Sequence, residues 1–232
     1  LIGGQNRVTD SAGFDVVKTE SSFTFGYTTD PAVSWGSGPI EVIELMGSLN
    51  TFANGEAGAN TLLGNSGANT LDGRGGNDIL DGRDGDDVLK IGSDTGSVGG
   101  ATNMTGGAGA DTFWTGKGYR GDHSSGANQL QINDFTSGVD HIRFGIATTA
   151  TAPTTLDTTA VYGGDTLAMV LDRAASGSGS PTAPTISQFV FGADTYLVLD
   201  LSTATTFSTG DLAIKLTGTP GVALSDLVFN LV

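Results

Sequence analysis

The residues able to do chemistry lie in one stretch, at one spacing. Four nine-residue units run back to back from Gly55 to Lys90: GEAGANTLL, GNSGANTLD, GRGGNDILD and GRDGDDVLK. Each has glycine first (Gly55, Gly64, Gly73, Gly82) and fourth (Gly58, Gly67, Gly76, Gly85). The sixth place holds Asn60, Asn69, Asp78 or Asp87, and the eighth holds Leu62, Leu71, Leu80 or Leu89. A fifth unit, GGAGADTFW, restarts at Gly106 with Asp111 sixth and Phe113 eighth. Carboxylate and amide oxygens beside exposed turn carbonyls form a hard donor set, which suits Ca²⁺.

Those donors need elements to hold them, and the period supplies them: a turn of six residues followed by a strand of three. Glycine at two fixed turn positions permits backbone angles that other residues reach only under strain. The single large apolar residue of each strand points inward, so two repeats close one flattened coil and successive coils stack their leucines. Such a core is thin. One leucine per nine residues, at about 1.5–3 kcal/mol, does not offset backbone ordering at about 1–2 kcal/mol per residue. Something else has to hold the folded form, and the sixth-position oxygens point to a cation.

The units resemble the RTX (repeats-in-toxin) family, whose nonapeptide is G-G-x-G-x-D-x-(Leu-like)-x. The resemblance implies an all-β fold, a parallel β-roll, with several Ca²⁺ ions between stacked turns. In that family the second and fourth carbonyls and sixth side chain of one turn share an ion with the first and third carbonyls and sixth side chain of the turn one coil on. Carried onto this chain, Glu56, Gly58 and Asn60 face Gly73, Gly75 and Asp78, while Asn65, Gly67 and Asn69 face Gly82, Asp84 and Asp87. Arg74, Gly76, Arg83 and Gly85 fill the second and fourth places of the later turns; Gly106, Ala108 and Asp111 fill the first, third and sixth places of the last unit. The first two copies depart from the family by carrying Asn for Asp, an oxygen without charge, so these rungs are expected to be weak or structural.

The flanks suggest three regions. Residues 1–54 alternate over Ser22–Tyr27 and Glu41–Met46 as short strands do, and are expected to form an irregular β lead-in stacked on a roll of residues 55–118. The stretch Ile91–Thr105 breaks the period, and either loops out or makes one imperfect coil. Residues 119–232 are expected to form a capping and type I secretion region. Within it, Leu130–Phe144 resembles the I-x-D-F-x-x-G-x-D-x-I element of serralysin-like C-terminal domains, making Asp134 and Asp140 either a further calcium site or part of a strand-and-turn cap. Asp165 is placed to cap a short helix over Thr166–Ala175. Ile186–Phe191 and Tyr196–Leu201 suggest a hairpin, and Leu212–Leu216 a half-buried strand. The closing SDLVFNLV resembles a type I export signal; a final buried strand has the same pattern.

Composition narrows the function classes. With 10 Lys plus Arg against 25 Asp plus Glu, the net charge is −15, so nucleic acid and anionic membrane surfaces are poor partners. Cysteine is absent, which excludes disulfides and thiolate metal sites and fits an exported, calcium-stabilised protein. No segment approaches the apolar length of a membrane-spanning helix, and no signal-peptide pattern opens the sequence. Leu1 is not an initiator, so the chain is expected to be a piece of a longer protein. Only His123 and His141 are present, without H-E-x-x-H or G-x-S-x-G, so no catalytic residue is assigned. His123 is expected in a solvated loop and His141 outward on a strand, while Trp35, Trp114 and Tyr119 suggest packing rather than a glycan site. Three parents remain open: an export module of a secreted or cell-surface protein, meeting the type I secretion machinery transiently; a surface-layer or matrix subunit that self-assembles or holds a cell-surface glycan; and the tail of a hydrolase whose active site lies upstream.

Overall fold

The structure is a computed structural model that describes residues 7–11, 14–24, 40–91, 101–117, 130–146, 150–158, 166–175, 179–180, 183–204, 206–207, 211–218 and 220–231. In chain order the lead-in strands are β1 (Arg7–Ser11), β2 (Phe14–Thr19), β3 (Phe23–Thr24), β4 (Val42–Leu45) and β5 (Phe52–Asn54). The repeats give β6 (Thr61–Leu63), β7 (Thr70–Asp72), β8 (Ile79–Asp81), β9 (Val88–Lys90), β10 (Asn103–Thr105) and β11 (Thr112–Lys117). The remainder holds β12 (Leu130–Ile132), β13 (His141–Ile146), β14 (Leu156–Asp157), helix α1 (Leu167–Ala174), β15 (Thr185–Phe191), β16 (Asp194–Asp200), β17 (Leu212–Leu216), a 3₁₀ turn (Leu224–Asp226) and β18 (Leu227–Leu231).

Even and odd repeat strands go to opposite walls, as a six-plus-three unit dictates. Among the described residues one wall is an eleven-stranded sheet ordered β1-β2-β4-β6-β8-β10-β12-β17-β16-β15-β14; the other has seven strands ordered β18-β13-β11-β9-β7-β5-β3. From β4 to β12 in the first wall, and throughout the second, neighbours pair in parallel. The fold is therefore all-β, built on a parallel roll. In the first wall Val17, Ile43, Leu62, Leu80, Met104, Ile132 and Leu216 share one register row. In the second the row is Phe23, Ala53, Leu71, Leu89, Phe113, Ile142 and Leu227. Every one of these side chains is buried. The thin leucine core is thus one layer of two facing rows.

The period break makes a coil rather than only looping out. Asn103–Thr105 sits in register between β8 and β12, with Met104 in the leucine place; residues 92–100 lie outside the described ones.

Beyond the roll, β15 and β16 form the expected hairpin, and β16 pairs antiparallel with β17. The helix begins one residue later than expected: Thr166, not Asp165, is its N-cap, its hydroxyl accepting from the Met169 N–H. Asp165 lies outside the described residues. Strand β17 is buried along one face and, at Ala213, on the other as well, while Lys215 is only half-buried. Leu212, Ile214 and Leu216 join the main core, while Ala213 lies with Val198, Phe189 and Tyr196 beneath Val170, Leu171 and Ala175. Alternation in the sequence showed one face; the helix supplied the second cover.

Candidate metal centre

Among the described residues the repeats cross from wall to wall by turns, and turns one coil apart lie directly on one another. Turn 55–60 is followed by 73–78 at one edge of the roll; at the other edge 64–69, 82–87, 106–111 and 134–140 succeed one another. Main-chain bonds knit them. The Gly75 N–H donates to the Glu56 carbonyl at 3.2 Å, the Ala108 N–H to the Arg83 carbonyl at 2.7 Å, and the Gly85 N–H to the Ala108 carbonyl at 2.8 Å. Asp84 and Ala108 form an isolated parallel bridge. Glycine is needed where turns stack this closely: Gly85 has φ +111°, and a Cβ there would come within 2.6 Å of the Gly67 carbonyl oxygen. Arg74 and Arg83 occupy second positions in the left-handed region, with φ 64° and 72°, a conformation that costs L residues about 1–2 kcal/mol. Asp72 and Asp81, one repeat position upstream of the glycine, hold these turns by accepting the Arg74 and Arg83 N–H groups at 3.1 Å.

The sixth residues form the spine. The Asn69 N–H donates to Asp87 Oδ1 at 2.7 Å, the Asp87 N–H to Asp111 Oδ1 at 2.9 Å, and the Asp111 N–H to Asp140 Oδ1 at 2.9 Å. At the opposite edge the Asn60 N–H donates to Asp78 Oδ1 at 2.9 Å. All six side chains are buried.

One oxygen of each inner carboxylate is left over. Asp87 Oδ2 and Asp111 Oδ2 are buried and have no hydrogen-bond partner among the described residues. They lie against the first glycine of their own turn, where a Cβ on Gly82 or Gly106 would collide with them, and the Gly106 carbonyl oxygen sits 2.6 Å from that same point over Gly82. Two oxygens therefore converge on a space that only glycine leaves open. Burial raises Asp78 and Asp87 to about 7 and Asp111 to about 6, with neighbouring aspartates adding to the rise. A buried, unpaired carboxylate is costly unless a proton or a cation accompanies it. Among the described residues no three His, Cys, Asp or Glu side chains cluster as a metal site, so a cation here draws mainly on carbonyl oxygens, with one side chain per turn. Donor chemistry and vacated glycine space fit Ca²⁺.

A family profile for the RTX calcium-binding nonapeptide repeat, in four copies, matches residues 54–89 and 98–119. Residues 54–119 are an RTX calcium-binding domain. A search of curated proteins gave no match.

The second matched stretch of this RTX domain starts before Gly106, and Thr102 is the residue that a reading from Gly106 onward passes over. It stands nine positions before Asp111 as Met104 stands nine before Phe113. Thr102 is buried, with a hydroxyl that has no partner among the described residues. Counting back one period from GGAGADTFW was the available signal.

Asp134 and Asp140 are spoken for by main-chain donors. Asp134 accepts the Gly106 and Gly107 N–H groups at 2.9 and 2.8 Å, and Asp140 Oδ2 accepts the Thr136 N–H at 2.8 Å. His141 is exposed on β13. Trp114 lies between Lys90 Nζ and the Arg143 guanidinium, 4.2 and 4.7 Å from its ring centre; His123, Trp35 and Tyr119 fall outside the described residues.

Proposed function

We propose that this RTX domain is a calcium-driven folding module of a larger secreted or cell-surface protein. The observation that carries this reading is the pair of buried oxygens on Asp87 and Asp111, without a partner among the described residues and each facing glycine-cleared space. Asp78, Asp87 and Asp111 would supply the carboxylates, with carbonyls of the first to fourth turn positions (Gly82, Arg83, Asp84, Gly85, Gly106 and Ala108 at the edge that carries Asp87 and Asp111) as the remaining donors. The ion supplies positive charge that offsets the buried carboxylates and ties consecutive turns. Metal binding then becomes folding free energy.

Extracellular calcium modules bind at about 10⁻⁴–10⁻³ M, so in a calcium-poor cytosol an acidic, glycine-rich roll stays open and can thread an exporter. Circular dichroism and calorimetry in EDTA and in millimolar calcium test the module. Strand signal that increases with calcium supports it, and identical spectra in both overturn it.

Export is carried by the segment containing β18. Since Leu227–Leu231 is also the edge strand beside β13, deleting 225–232 perturbs export and packing together. Grafting residues 119–232 onto an unrelated passenger separates them: secretion of the passenger by a type I system supports an export signal, and its retention leaves β18 as a core strand alone.

A further inference from the structure

The two ends of the sixth-residue spine are sealed by protein, and only its middle is open. Asn69 at one end has both amide atoms engaged: Oδ1 accepts the Asn65 N–H at 2.7 Å, and Nδ2 donates to Asn65 Oδ1 at 3.1 Å. Asn65 in turn donates from Nδ2 to the Met46 and Leu49 carbonyls at 3.0 and 3.1 Å, which belong to the lead-in. Asn60, at the other edge, has Oδ1 on the Glu56 N–H at 2.8 Å and Nδ2 on the Ile40 carbonyl at 2.7 Å. At the far end both oxygens of Asp140 accept main-chain N–H groups. Asp87 and Asp111, between these ends, each have one oxygen without a partner among the described residues.

We infer that this domain loads calcium unevenly: the turns at Asn60 and Asn69 are closed by amide hydrogen bonds without metal, and the lead-in with these two turns is a preformed base onto which the aspartate turns fold when calcium arrives. The inference rests on the calcium reading above and adds where the metal is dispensable. An amide supplies what no carboxylate can, a donor: Asn60 Nδ2 satisfies the Ile40 carbonyl and Asn69 Nδ2 satisfies Asn65 Oδ1, while each amide oxygen takes a turn N–H. A carboxylate at the same place would face those oxygens oxygen to oxygen. An aspartate turn has the reverse problem, a surplus acceptor with nothing to give it a positive charge. Asn for Asp in the first two copies is then a junction between a metal-free segment and a metal-dependent one, rather than a weakened copy of the same rung.

Hydrogen exchange with mass spectrometry on the unaltered chain tests this, in EDTA and again in 10 mM calcium, since about 10 mM exceeds the range typical of such modules. Amides of residues 42–72 should stay protected in EDTA, while those of 82–115 exchange at least a hundredfold faster and regain protection with calcium. Equal loss across both segments in EDTA, reversed by calcium, would overturn uneven loading and leave the calcium reading intact. No change on adding calcium anywhere would overturn the calcium reading itself. The double substitution Asn60→Asp with Asn69→Asp provides the second arm. It should strip protection from 42–72 in EDTA, and native mass spectrometry should show at least one more bound calcium than the unaltered chain; an unchanged pattern in both readouts counts against the junction.

Discussion

The Asp87 N–H lies 2.9 Å from Asp111 Oδ1, so each inner aspartate fixes the turn before it with one oxygen and has the second left over. The main-chain bond orients the carboxylate without using it up. Replacement therefore has two separable consequences, on the ladder and on the cation.

Asp87→Asn keeps an oxygen for the Asn69 N–H and removes the charge. The calcium midpoint of folding should rise by roughly tenfold or more, equivalent to about 1.4 kcal/mol. Asn69→Ala should instead destabilise the calcium-free protein by about 1–3 kcal/mol, through orphaned partners at Asn65 and the Leu49 carbonyl, with little effect on how many ions bind. Calcium titrations followed by circular dichroism distinguish the two patterns; matching midpoint shifts would contradict the separation.

Acid should rescue the calcium-free roll in part. Burial raises Asp78 and Asp87 to about 7 and Asp111 to about 6, against about 3.9 in an unfolded chain. Between those values the folded form binds more protons, so stability in EDTA falls as pH rises from about 4 to 7, then levels off. With calcium bound, protons compete for the same oxygens and the slope reverses. Urea unfolding at pH 5 and pH 8, with and without calcium, gives four stabilities, and slopes of one sign in both sets would refute this.

Leu80 and Leu89 occupy facing rows of a single-layer core and are fully buried. Leu89→Ala should cost about 2–5 kcal/mol, because strands pinned on both sides leave little room to collapse. Leu80→Asp should prevent folding at any calcium concentration, since it buries a charge without a partner. A folded, calcium-responsive Leu80→Asp variant would mean that the interior rows contribute far less than their burial suggests.

Gly82→Ala places a methyl where Asp87 Oδ2 and the Gly106 carbonyl converge. Its φ is outside the left-handed region, so the effect should fall on calcium affinity rather than on the backbone. Isothermal titration should show at least one fewer ion; full stoichiometry would place the cation elsewhere.

How much of this was legible in sequence depends on which residues carry the periodicity. Gly, Asp and Leu recur at fixed places in Gly55–Lys90, so the turn-strand period and the inward row were readable directly. Met104 and Thr102 keep the place but not the residue type, and the coil they belong to shows only by counting. Asn69 was visible as a departure from Asp; that its amide donates within the turn is tertiary information, set by where Asn65 and the lead-in carbonyls come to lie. The second burial of Ala213 depended on a helix from another part of the chain, which alternation along one strand does not register.

Asp226 accepts from the Ser137 hydroxyl at 2.6 Å and from the Gly138 N–H at 3.2 Å, across 89 and 88 positions of sequence, and β18 lines up beside β13 with a comparable separation. The repeats close contacts between neighbours only a coil apart, which is quick for a chain to find. This last contact has high contact order, and loops of that span are slow to close. The seven-stranded wall therefore has an unfinished rim until segment 224–231 has been synthesised and has diffused back to it, and for that interval β13 presents bare backbone donors and acceptors to whatever strand reaches it first.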